Sequence, residues 1–93
     1  MIITDKELDI AIAEGKPVYV TCFTAIGEYF VKSYNDDFVD LVMHDEQSAY
    51  TENRANVYAT KIAALDHLIT VYTKELAYFK NKKAELCAYQ KSN

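Results

Sequence analysis

The chain has 93 residues, 51% of them hydrophobic, and a net charge of −4. That length makes one domain with a modest core, burying roughly 60–65% of its unfolded surface. The acidic balance excludes a generally basic nucleic-acid binder, and two glycines far apart, Gly15 and Gly27, exclude a Gly-rich phosphate loop.

The opening residues Met1-Ile2-Ile3-Thr4-Asp5 carry no basic region followed by a long apolar one, so neither a signal peptide nor a transit peptide is expected. No apolar run approaches the ~18 residues that span a bilayer, so no membrane partner is expected. Thr4-x-x-Glu7 is a capping box, with Ile3 and Leu8 placed as a hydrophobic staple. Gly15 supplies a left-handed C-cap and Pro17 prevents continuation. The predicted first element is a helix over 5–14.

Residues 17–43 read as a β-meander. Pro17 to Thr24 alternates β-branched and aromatic residues, the pattern of a strand. Ala25-Ile26-Gly27 is read as a turn and Glu28 to Tyr34 as a second strand. Asn35-Asp36-Asp37 is a polar turn, and Phe38 to Met43 is a third strand by composition. A helix capped by Asn35, with Phe38, Leu41 and Val42 on one face, is the competing reading of that segment. His44 to Thr51 is a polar connection.

The most informative stretch follows. Tyr58, Ile62, Leu65, Ile69, Tyr72, Leu76 and Phe79 recur at steps of four and three, with no Gly or Pro between them. This is an amphipathic helix with a heptad seam, predicted over 53–89. Such a helix is about 55 Å long, against a radius of gyration of about 12 Å for a compact chain of this size. It must either project and meet a partner or break, and Lys80-Asn81-Lys82-Lys83 is where a break is expected. The fold class is therefore α+β: a short N-terminal helix, a small antiparallel sheet of two to three strands, and a long C-terminal helix. The seam points to a homodimer or higher homo-oligomer.

Chemistry is sparse. His44 lies among loop acids and His67 on the polar face of the helix, and neither has the ligand spacing of a metal site. Cys22 and Cys87 sit beside apolar neighbours and read as packing residues rather than nucleophiles or a disulfide, which suits a reducing, cytoplasmic compartment. No catalytic residue, metal or cofactor is expected. Lys80, Lys82, Lys83 and Lys91 flank aromatics but also favour a helix C-terminus, so nucleic acid is not the expected partner.

Charge is divided unevenly. Residues 1–52 hold eleven acids and three bases, and residues 53–93 hold seven bases and three acids. Asp36, Asp37, Asp40, Asp45, Glu46 and Glu52 fall close together and form a candidate partner-binding surface. Carboxylates on a rigid surface imitate duplex phosphates. In size and charge, though in no motif, the chain resembles small phage proteins that disarm restriction or CRISPR enzymes. The expected function is a non-enzymatic protein that binds and blocks a host protein. The alternative is a structural or assembly subunit that oligomerises through its C-terminal helix.

Overall fold

The computed structural model describes residues 2–43 and 48–91. Helix α1, Asp5–Glu14, starts at the full capping box: Thr4 Oγ1 accepts from the Glu7 amide, and the Glu7 carboxylate accepts from the Thr4 amide. It stops at Gly15, whose φ of 62° is the left-handed conformation a glycine adopts without steric cost. Ile3 and Leu8, the staple pair, are both buried in the core.

Five antiparallel strands follow, more than the two to three read from the sequence: β1 Pro17–Cys22, β2 Ala25–Tyr34, β3 Phe38–Val42, β4 Ala49–Asn53 and β5 Val57–Tyr58. They lie in the order β4-β3-β2-β1-β5. Residues 38–42 are thus a strand, following a turn at Asp36 and Asp37, and not the competing helix. The strand β4 lies where the sequence reads as a polar connection, because Ala49-Tyr50-Thr51-Glu52-Asn53 is mostly polar and exposed, as an edge strand tolerates. Strand β5 is two residues long and pairs only with Tyr19 and Val20 of β1.

The first turn also differs from the expectation. Cys22 pairs with Ala25, so the hairpin closes through Phe23 and Thr24, and Gly27 lies within β2. Gly27 leaves room for the Tyr29 ring: a Cβ there would meet Tyr29 Cε2 at 2.5 Å, and the ring would have to shift. Phe23 has φ 53°, the left-handed region at the first central position of a two-residue loop, where glycine is ordinarily found.

One face of the sheet packs against α1, and the start of the last helix covers the β1–β5 end of the other. Val18, Val20, Val31, Val39, Leu41 and Val57 face α1, which contributes Leu8 and Ala11 to the same core. A bulge between Val31 and Ser33 changes which residues face which way. It turns Ser33 to the far face beside Asp40, and Tyr34 to the α1 face beside Val39. On the far face Tyr19 is paired with Tyr58. There the start of the last helix, α2 Lys61–Lys91, lies against β1 and β5 with Ala64 wholly buried.

Helix α2 begins at Lys61 rather than near 53. Asn53 does cap a helix, accepting from the Ala55 amide, but only the single 3-10 turn Arg54–Asn56. Val57 and Tyr58 then join the sheet, and Thr60 caps α2 through its hydroxyl, which accepts from the Ala63 amide. The helix continues unbroken through Lys80–Lys83. At 1.5 Å per residue it is about 46 Å long, and it sets the 64 Å long axis of a molecule only 25 × 21 Å across. No helix among the described residues is long and apolar enough to cross a membrane.

Candidate functional site: an exposed helical stalk and a clasped acidic turn

Two sets of residues compete for a functional role. The first is the seam of α2. Tyr58 does not belong to it: the residue lies in β5, 6% exposed, sealed by its own chain with its ring 5.3 Å from that of His67. The other six, Ile62, Leu65, Ile69, Tyr72, Leu76 and Phe79, all lie on α2 and all are exposed. Ile62 is 72% open, Ile69 63% and Phe79 62%.

The body is held by a different side of the helix. Ala64 is buried and Leu68 and Val71 are half-buried, and at 100° per residue these three lie roughly a quarter-turn from the seam. From Tyr72 to Gln90 every side chain is exposed. Within that stretch the helix has little support of its own. Lys82 and Glu85 pair at 3.6 Å, Lys82 lies over the Tyr78 ring, and Tyr78 meets Phe79 edge-on. Contacts of this kind are worth tenths of a kcal/mol each.

The second set is acidic, and the structure divides it. Asp45 and Glu46, with His44, lie outside the described residues. Asp36 and Asp37 are exposed in the β2–β3 turn. Asp40 points to the α2 face of the sheet, where its carboxylate accepts from Ser33 Oγ at 2.8 Å and Thr51 Oγ1 at 2.7 Å. The Thr51 hydroxyl, then that of Ser33, holds the Asp40 carboxyl below its ordinary range. Glu52 pairs across from Val39 and so belongs to the α1 face, where Oε1 accepts from the Asn53 amide and Asn56 Nδ2. Among the described residues, Asp40 and Glu52 therefore lie on opposite faces of the sheet.

What anchors the acidic turn was not visible in the sequence. Arg54, the chain's sole arginine, is 8% exposed. Its Nε and Nη2 donate to the Ile3 carbonyl at 3.2 and 3.0 Å, Nη1 donates to the Asn35 carbonyl at 3.0 Å, and Nη2 also pairs with Asp5. The guanidinium lies 5.4 Å from the Tyr34 ring centroid. One side chain thus ties the start of α1 to the β2–β3 turn. Asn35 completes the turn, its Oδ1 accepting from the Asp37 and Phe38 amides at 2.8 Å. The only sequence signal was the type itself: a planar fork suits several carbonyls at once.

The remaining chemistry-bearing groups stay apart. Cys22 and Cys87 are both free and exposed, contrary to the packing role expected of them: Cys22 ends β1 beside the hairpin tip and Cys87 lies on the stalk. Among the described residues no three His, Cys, Asp or Glu side chains are grouped as a metal site. Tyr34 donates its hydroxyl to Asp9, which pushes its pKa up to about 12. Burial, then the neighbouring Tyr29 and Glu52, pushes the Tyr50 hydroxyl upward. No family model, no curated protein and no solved structure matches the chain.

Proposed function

We propose that this chain is a non-enzymatic interaction protein that assembles with another copy of itself through α2. One observation carries the reading: an unbroken helix of about 46 Å whose apolar seam is left open by the body beneath it. A helix shorter than ~12–15 residues is marginal in water, and longer ones of ordinary composition draw most of their stability from packing. From Tyr72 to Gln90 every side chain is exposed, so that segment draws little beyond local pairs such as Lys82–Glu85 and Tyr78–Phe79 from its own chain. A second helix laid along the seam supplies that packing.

The test is Ile69→Lys, in the middle of the exposed seam. A dimer carries two copies of the change. Each loses roughly 1.5 kcal/mol of burial, so association weakens on the order of 100-fold. The α2 signal in far-UV circular dichroism falls with it. Unchanged mass and unchanged helicity refute the reading.

The clasped turn supports a second one. Asp36 and Asp37 are exposed on a turn fixed by Arg54 and Asn35, and a rigid anionic surface suits the binding and blocking of a basic protein such as a host nucleic-acid-processing enzyme. Reversing both charges leaves the fold intact and abolishes capture of such a protein at low salt. Retained capture refutes it.

A further inference from the structure

We infer that two α2 helices pair antiparallel, in the register that sets Ile62 against the partner's Leu86, Leu65 against the partner's Lys83, Ile69 against the partner's Phe79, and Tyr72 against the partner's Leu76. The inference rests on the self-assembly proposed above and adds direction and register to it.

Heptad spacing sets the register. Counting Ile62 as the first core position of a heptad, the seam alternates first and fourth positions, and the four pairings each match a first position with a fourth. That alternation satisfies antiparallel knobs-into-holes packing in this register; a parallel pair, matching like with like, satisfies the same spacing, so the spacing sets the register and charge the direction. Leu86 extends the seam past the lysine cluster and is 63% exposed, and Ile62 at the other end is 72% exposed. The seam is therefore open at both ends to a partner running the opposite way.

Charge decides the direction. Residues 1–60 carry eleven acids and four bases, a balance of −7; residues 74–91 carry five bases and two acids, a balance of +3. Antiparallel pairing brings each basic tip beside the other molecule's acidic body. Parallel pairing would stack Lys83 on the partner's Lys83 inside the seam, with Lys80 and Lys82 crowded around it, and set two acidic bodies side by side. On the flank, the antiparallel register also places Asp66 beside the partner's Lys80, both at the fifth heptad position, and does so twice by symmetry.

Cys87, exposed on the stalk, supplies the probe. In the Cys22→Ser protein a spin label on Cys87 stands level with the partner's Lys61, 26 residues away, so the two labels are ~40 Å apart along the axis. A dipolar distance near that value supports the inference. A distance of ~10–15 Å, the width of one helix pair, overturns it while leaving self-assembly standing. Absence of a dipolar signal, with the mass of a single chain, overturns both. Charge exchange gives an independent check. Asp66→Lys and Lys80→Asp each weaken the dimer on the order of tenfold, and together restore it. Failure of the double variant to recover overturns the register.

Discussion

Replacing Arg54 by Met removes every donor of the clasp while keeping most of its volume. The Ile3 carbonyl, in a residue only 4% exposed, loses its Nε and Nη2 donors; a buried carbonyl left unpaired costs about 1–3 kcal/mol. The Asn35 carbonyl, part-buried, adds about 1 kcal/mol. The stacking on Tyr34 adds about 0.5 kcal/mol. The ion pair to Asp5 adds almost nothing, because the Asp5 side chain is 69% exposed and water screens it. The loss is about 3 kcal/mol, a large part of the ~5–15 kcal/mol that holds small domains. With a urea slope near 1 kcal/mol/M, the unfolding midpoint falls by about 3 M. Fluorescence-detected urea unfolding at one fixed protein concentration measures it, since a dimer's stability depends on concentration. Arg54→Lys recovers less than half, because an ammonium lacks the fork that reaches both carbonyls. A midpoint loss under ~0.5 M for Arg54→Met would contradict the clasp.

Three further outcomes are expected. Phe23→Gly stabilises by about 0.5–1 kcal/mol in urea unfolding, since relief of the left-handed backbone outweighs the added freedom of the unfolded chain and the ring is 86% exposed; a loss of stability would mean the ring packs in solution. In an alkaline titration followed at 295 nm, Tyr34 ionises near pH 12. Its raised folded-state pKa contributes stability that is whole below the ordinary tyrosine value near 10 and disappears as pH rises through about 12. Asp9→Asn, which removes the negative acceptor, returns that midpoint toward 10, and an unmoved midpoint contradicts the hydrogen bond. In the antiparallel register Glu75 lies beside its own symmetry mate, so Glu75→Gln tightens the dimer a few-fold, read by sedimentation equilibrium, and weakening would contradict that placement.

How much of this was legible in the sequence depended on whether the signal was local. The Thr4–Glu7 box, the Gly15 cap and the alternation of Val18 and Val20 each act within a few residues, and each is present as read. The break expected at Lys80–Lys83 does not occur: the stretch is polar all round and Lys83 falls in the seam, but lysine is a good helix former and neither feature interrupts the backbone. Tyr58 fitted the heptad by spacing alone, yet β1 has a free edge and a two-residue strand fills it. Asp40 and Glu52 are near in sequence but of opposite parity across a β3–β4 ladder, so the sheet sends them to different faces. Arg54 joins Ile3 to Asn35, partners that no periodicity connects. Cys22 and Cys87 have apolar sequence neighbours, but one ends a strand at a hairpin and the other stands on a stalk that its own chain does not cover.

The proposed pairing shelters each α2 with another. Sedimentation equilibrium of the unmodified chain from low to high micromolar concentration tests it most directly. The expected result is a mass twice that of the 93-residue chain, reverting toward one chain in Ile69→Lys. A single-chain mass across the whole range, with helicity undiminished, would contradict it.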